Sequence, residues 1–120
     1  MVTLDDVRAL AFSLPRTHEA LVHGRVKFRV GSIVYASFSR DQTIMGFGFP
    51  KEWREVAIES EPDKFMTPSQ ADLRYNWLLV RLAAIDETEM RDLLFDAWTM
   101  VVPKRVVAAY RDYSAVGGKW

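Results

Sequence analysis

The chain contains no cysteine, and this absence excludes several chemistries at once. Disulfide bonds, thiolate metal sites and a catalytic thiol all require cysteine. No apolar run approaches the ~18 residues that would span a bilayer. Acidic residues interrupt the N-terminal stretch MVTLDDVRALAFSLP, which also has no basic leader and therefore does not resemble a secretory signal. The sequence predicts a cytoplasmic protein without a membrane segment.

A surplus of positive charge is also missing. The 16 Lys and Arg residues balance 16 Asp and Glu residues, so the formal net charge is +0 and the isoelectric point is near 6.7. Domains that bind nucleic acid through their overall charge usually have isoelectric points above about 9. Acids are concentrated in 59–72 and 86–92, whereas 23–31 carries three cations and no acid. A role on nucleic acid would have to depend on a local basic patch.

Motifs of catalysis and metal binding are lacking as well. His18 and His23 have no second ligand at metal-binding spacing, and neither H-x-x-x-H nor H-E-x-x-H occurs. No G-x-G-x-x-G or Walker loop is present, and GFG at 46–48 is too short to cradle a phosphate. We therefore expect a protein that is not an enzyme and that uses no metal and no cofactor.

The order of the predicted elements indicates one α+β domain. The length favours a single domain over 1–120, with a core at about 4–110 and a loose tail at 111–120. Four helices are predicted: one from Thr3 to Pro15, one after Pro50, one after Asp86 and one from Pro103. Strands are predicted at 19–23, 25–30, 33–39, 43–49 and 75–82, with a short extended piece at 64–66. Clustered strands with flanking helices give an antiparallel sheet of about five strands packed against N- and C-terminal helices.

The stretch HGRVKFRVGSIVYASFS at 23–39 predicts a hairpin with two distinct faces. Gly31 and Ser32 suit a two-residue turn between its strands. The predicted register places Val30 opposite Ile33, Phe28 opposite Tyr35 and Val26 opposite Ser37 on the core side. The other face then pairs Arg29 with Val34, Lys27 with Ala36 and Arg25 with Phe38.

Glycines and tryptophans mark two further features. Gly46 and Gly48 share one face of the strand TIMGFGF, which leaves the sheet bare there and suggests close approach of a backbone or ligand. Helical spacing predicts that Trp53 faces inward together with Val56 and Ala57. Trp77 and Trp98 also lie in apolar patterns, so the three tryptophans are predicted to be core residues.

The segments HGRVKFRVGSIVYAS, YNWLLVRL and LLFDAWTMVVPKR resemble the MmcQ/YjbR family of small bacterial proteins, as does the opening VRALAFSLPRTHEA. The resemblance covers roughly 4–110 and consists of apolar, glycine and tryptophan positions. It implies a CyaY-like (frataxin-type) α+β fold, an α-β-α sandwich. It also implies DNA binding through a double-wing motif, with the strands around 25–39 as wings.

The candidate DNA-binding residues are the row Arg25, Lys27 and Arg29, supported by Lys104 and Arg105 after Pro103. A β-ribbon can present arginine and lysine to phosphates, and a helix N-terminus also attracts anions. The same patterns also fit a solvated sheet face and a solvated helix start, which are the more common reasons for such patterns. Two functions remain open: a non-enzymatic DNA-binding protein, or a module that binds a small ligand or a protein on the face bared by its glycines.

Overall fold

A computed structural model describes the backbone of residues 1–117 and the side chains of residues 1–111. Within that part, six antiparallel strands form one sheet in the order β1-β2-β3-β4-β6-β5. The strands are β1 Thr17–Val22, β2 Arg25–Val30, β3 Ile33–Phe38, β4 Ile44–Gly48, β5 Phe65–Met66 and β6 Trp77–Arg81. The helices are α1 Leu4–Ala11, α2 Lys51–Ser60, α3 Glu87–Thr99 and α4 Lys104–Gly117. The α+β class is confirmed, and the sixth strand arises because the extended piece at 64–66 pairs with β6 as β5.

Local signals define the ends of two helices as predicted. Thr3 caps α1: its hydroxyl accepts the Asp6 amide at 3.3 Å while the Asp6 carboxylate accepts the Thr3 amide at 2.9 Å. Asp86 caps α3 by accepting the Glu89 amide at 2.8 Å. Both caps satisfy amide groups that the first helical turn would otherwise leave without an acceptor.

The first three strands form two consecutive hairpins with two-residue turns. His23 and Gly24 connect β1 to β2, and both have positive φ, 53° and 76°. Two positive φ angles are typical of the turn that matches the natural twist of a hairpin. The predicted strand at 19–23 is therefore displaced: β1 begins at Thr17 and ends before this turn. Gly31, with φ of 59°, begins the β2–β3 turn as predicted.

A β-bulge changes the predicted register of β2 with β3. Phe28 pairs with Ala36, and Lys27 pairs with Ser37, so the predicted pairs Phe28–Tyr35 and Lys27–Ala36 are wrong. The extra residue places Tyr35 and Ala36 together opposite Phe28. In the predicted register Ser37 would have faced the core and Phe38 the solvent. The bulge reverses this, and Phe38 is only 1% exposed.

The bulge therefore defines the two faces of the sheet. We call the face that carries Phe28 and Phe38 the inner face, and the opposite face, with Lys27 and Ser37, the outer face. α3 packs against β3 and β4 on the inner face, and α1 packs against α3. The buried core lies between them, and the indole of Trp98 donates to the carbonyl of Pro15 at 2.9 Å.

The final helix differs slightly from its prediction. α4 begins at Lys104, and the carbonyl of Pro103 accepts the Val106 amide at 2.9 Å, so Pro103 occupies the capping position and not the first helical position. α4 continues to Gly117 because no proline interrupts it. It therefore includes much of the tail predicted to be loose at 111–120, while 118–120 lie outside the described residues. None of the described helices combines the length and apolar character that crossing a membrane demands.

Buried Tyr35 makes the stability of the fold sensitive to alkaline pH. Its side chain is fully buried and its hydroxyl lies 2.8 Å from that of Thr17. Burial raises the pKa of Tyr35 to about 12, and the hydrogen bond with Thr17 offsets only part of that rise. In the unfolded chain the phenol ionises near pH ~10. The contribution of Tyr35 is thus complete below pH ~10 and declines as the pH rises toward 12, because only the unfolded state then loses its proton.

The variant Tyr35→Phe tests this loss of stability at high pH, because it removes the ionisable group and keeps the ring. Urea unfolding of both proteins from neutral pH to pH ~11.5 should show the wild type losing stability faster than the variant above pH ~10. All other ionisable groups are the same in both proteins, so their effects cancel in the comparison. Parallel decline of the two proteins would contradict the assignment.

Candidate nucleic-acid interface

The predicted cation row lies on the outer face and is not neutralised by neighbouring acids. Arg25 is exposed, whereas Lys27 and Arg29 are half-buried. Within the described residues none of the three forms an ion pair. Glu19, on the adjacent strand, points to the inner face, where its carboxylate accepts Arg8 Nε at 2.8 Å. This acid of the neighbouring strand is therefore engaged on the opposite side of the sheet.

The three cations differ in their contacts. Lys27 Nζ donates to Ser37 Oγ at 3.1 Å, a contact that exists because the bulge brings Ser37 to the outer face. Arg29 Nε is buried and has no hydrogen-bond acceptor in the described part of the chain. His18, which pairs with Arg29 across β1 and β2, lies with Nε2 3.0 Å from the carbonyl oxygen of Gly31. The row thus retains unused hydrogen-bond donors next to positive charge.

Arg40 adds a cation that the sequence patterns did not single out. Its Nε donates to the carbonyl of His23 at 3.1 Å, which places its guanidinium beside the β1–β2 turn, next to the start of β2. The segment RDQ at 40–42 indicated only a turn. No local pattern could have revealed the contact, because Arg40 and His23 belong to different hairpins.

An open groove of about 830 Å³ crosses the outer face of the sheet. Residues of β2, β3, β4 and β6 line it, and the loop before β6 and the residues just after α3 border it. The residues central to its chemistry are Arg25, Lys27, Ser37, Gly46, Tyr75, Trp77 and Leu79. Its lining includes two cations, one acid, Asp72, and four aromatic residues, of which Tyr75 and Trp77 reach the surface while Tyr35 and Phe38 are buried.

The predicted site residues are only partly brought together. Arg25 and Lys27 line the groove, and Arg29 lies on the same face without contributing to the lining. Lys104 and Arg105, the first residues of α4, are exposed but do not line the groove. Of the five predicted residues, two thus line the groove, one shares its face of the sheet, and the two at the start of α4 lie outside it.

Trp77 occupies the strip of sheet that glycine was expected to leave bare. A Cβ placed on Gly46 would lie 2.6 Å from Trp77 Nε1 and 2.9 Å from Cε2 and Cζ2, so the indole rests directly on this glycine. Trp77 is half-buried on the outer face, whereas Trp98 lies in the core as predicted. The expected close approach at Gly46 is thus made by a side chain of the protein itself.

The orientation of α2 also differs from its prediction. Trp53 and Val56 are 62% and 56% exposed, so their predicted inward placement is wrong. Ala57 faces the protein as predicted, together with Arg54 and Ile58. Helix positions three and four apart share a face, so Arg54 belongs to the same stripe as the two apolar residues.

Arg54 holds the segment that borders the groove. Its Nη1 donates to the carbonyls of Tyr75 at 3.1 Å and Trp77 at 3.0 Å, and its Nη2 donates to that of Leu73 at 2.7 Å. A planar guanidinium can satisfy several carbonyls in a fixed geometry, which an ammonium cannot. Arg54 therefore positions the backbone that carries both groove aromatics. Sequence reasoning missed it because a charged residue on an amphipathic helix normally marks the solvent side.

Among the described residues, no three His, Asp or Glu side chains gather at distances suited to a metal ion. Neither His18 nor His23 lines the groove. The groove therefore has to be understood through its cations and aromatic rings.

Comparison with known proteins identifies the relatives of this fold. The YjbR family model matches residues 12–100. The uncharacterized proteins Rv2570 of Mycobacterium tuberculosis and Mb2600 of Mycobacterium bovis are each 30% identical to this chain over 128 residues, covering 92% of it and 96% of the relative. The crystal structure of Deinococcus radiodurans protein DR2400, a DUF419 domain, matches with a TM-score of 0.75 at 21% identity, over 93% of this chain and 87% of that one. That likeness shows a shared fold.

Proposed function

The chain belongs to the YjbR family, and we propose that it binds DNA through the outer face of its sheet as a non-enzymatic cytoplasmic protein. The observation that carries the proposal is the row Arg25, Lys27 and Arg29, which shares one face without an ion-pair partner in the described residues. Phosphates are the natural partners of such a row, because arginine and lysine donate to them with charge-assisted hydrogen bonds.

The spacing of the row also suits a sugar-phosphate backbone. Side chains two residues apart on a β-strand repeat every ~6.6 Å. This distance is close to that between neighbouring phosphates along one strand of DNA. The two hairpins β1–β2 and β2–β3 share the strand that bears the row, and we assign them as the pair of wings. Lys104 and Arg105 are proposed as secondary phosphate contacts from the start of α4.

The test is the salt dependence of DNA affinity. Each phosphate contact contributes about 0.7–0.9 to the slope of log K against log salt. We expect Arg25→Gln, Lys27→Gln and Arg29→Gln each to weaken binding and to reduce the slope by about that amount. Fluorescence anisotropy with labelled DNA across a NaCl series measures both quantities.

A matched control is Arg91→Gln, which removes one positive charge from α3, where Arg91 pairs with Glu87 at 3.1 Å. It should leave both the affinity and the slope unchanged. Equal effects of Arg91→Gln and of the three row variants would show that only overall charge matters, and the assignment of the row would then be abandoned.

The volume of the groove favours a second candidate function. Small-molecule sites typically enclose ~300–1,000 Å³, and about 830 Å³ falls within that range. A module for a small ligand would bind saturably and with little dependence on salt, and its affinity would not follow the cation row. The same salt series therefore separates the two candidates.

A further inference from the structure

A row of paired residues crosses the outer face at the centre of the groove. Lys27 on β2 pairs with Ser37 on β3, Ser37 pairs with Gly46 on β4, and Gly46 pairs with Leu79 on β6. All four residues line the groove. Because Lys27 Nζ reaches Ser37 Oγ at 3.1 Å, the ammonium group lies above β3 and not above its own strand.

The indole of Trp77 lies above the next strand. It rests on Gly46 of β4, where no side chain intervenes, and it remains partly exposed to the groove. Ser37 and Gly46 are paired across β3 and β4, so the ammonium of Lys27 and the ring of Trp77 lie over neighbouring positions of the sheet. Tyr75, which is 51% exposed, presents another aromatic side chain at the surface of the same groove.

An aromatic surface and a cation over neighbouring strands of one groove suit one nucleotide. A nucleotide joins an aromatic base to a phosphate through a single sugar, so one unit can reach both groups. Bases in a duplex are stacked on each other and unavailable to a side chain, whereas unpaired bases stack on aromatic side chains without strong sequence preference.

We propose that the groove binds an unpaired nucleotide within a nucleic-acid strand, with its base on Trp77 and its phosphate on Lys27. This inference rests on the proposed function, because the row Arg25, Lys27 and Arg29 would bind the neighbouring phosphates. It adds a preference for single-stranded over double-stranded DNA, which phosphate contacts by themselves do not provide.

The experiment compares a labelled oligothymidylate with a duplex of the same length, using wild type and Trp77→Ala. Loss of one base-aromatic stack should weaken binding of the single strand by about 5- to 100-fold. The salt slope should not change, because Trp77 carries no charge. Trp77→Phe, which keeps an aromatic ring, should restore most of the affinity. Trp53→Ala, at an exposed tryptophan of α2, is the matched control and should bind like wild type.

Gly46→Ala provides a variant that keeps Trp77 and every charge. A methyl group at this position overlaps the indole and displaces it into the groove. We expect weaker binding of single-stranded DNA, with an unchanged slope of log K against log salt. A thermal unfolding curve of the variant checks that it is folded. This variant protects the test against the possibility that Trp77→Ala does not fold.

Two results would overturn the inference while leaving the proposed function in place. One is unchanged single-strand affinity in both Trp77→Ala and Gly46→Ala, with the salt slope still dependent on Lys27. The other is binding of free thymidine monophosphate as tightly as the oligomer, which would assign the groove to a free nucleotide. Absence of salt-dependent binding to any DNA would instead remove the proposed function itself.

Discussion

Replacing Trp98 with alanine should lower the free energy of unfolding by about 3–5 kcal/mol, the range for removing a large aromatic side chain from a core. Trp98 is fully buried on α3, and its ring lies 5.7 Å from that of Phe95 and 5.4 Å from that of Tyr110, between centroids. Its Nε1 also donates to the Pro15 carbonyl at 2.9 Å, which ties α3 to the segment between α1 and β1. Total stabilities of small domains are only about 5–15 kcal/mol, so this variant should be close to unfolding.

Two further variants separate the causes of that loss. Trp98→Phe keeps most of the apolar volume but leaves the Pro15 carbonyl without its donor, which should cost about 1–3 kcal/mol. Trp53→Ala makes the same change as Trp98→Ala at a side chain that is 62% exposed, and it should change stability by less than about 0.5 kcal/mol. Urea denaturation followed by circular dichroism measures all three. Similar losses for Trp53→Ala and Trp98→Ala would show that the core has been misassigned.

Replacing Arg54 with alanine should destabilise the protein by about 2 kcal/mol, within the range for hydrogen bonds that involve a charged group. Three backbone carbonyls between Leu73 and Trp77 would lose their donor, and two of the three hydrogen bonds are partly buried. The segment that carries Tyr75 and Trp77 should then become mobile. We therefore expect weaker binding in the groove in addition to the loss of stability.

Arg54→Lys tests whether geometry or charge is responsible. An ammonium cannot hold the same fork of three carbonyls, so the lysine variant should recover only part of the loss. Arg91→Ala is the matched control, because it removes an exposed helical arginine whose ion pair with Glu87 contributes about 0.3–0.5 kcal/mol. Hydrogen exchange of amides 73–77 reports the local effect. Unchanged protection of these amides in Arg54→Ala would contradict the positioning role.

Much of the fold could be predicted because its signals are local. The alternation of 25–30, the turn at Gly31 and the caps at Thr3 and Asp86 each depend on a few consecutive residues, and each was confirmed. The pairing of Phe28 could not be predicted in the same way. Both Tyr35 and Ala36 are apolar, so the sequence fits a regular strand as well as a bulged one. The bulge is favoured only once Phe38 has a core to enter.

In the candidate site, too, local signals could be predicted and tertiary contacts could not. The alternation of β2 correctly places Arg25, Lys27 and Arg29 on one face, but the strip at Gly46 is covered by Trp77 and not by the backbone or ligand that was predicted. The partner at Gly46 was missed because Trp77 lies in an apolar run that favours a buried strand on both faces. Arg54 was missed because its three acceptors are backbone carbonyls. Side-chain patterns in the sequence do not show which carbonyls a guanidinium will reach.

The sequence alone determined most of the elements, the turn at Gly31 and the strand face on which the cations lie, because chain geometry relates these properties to residues within a few positions. Only the tertiary structure decided that Ser37 meets Lys27, that Trp77 covers Gly46 and that Arg54 supports the border of the groove. Each of these contacts joins separate strands or helices, and packing of the whole sheet selects it from several arrangements that the local pattern permits.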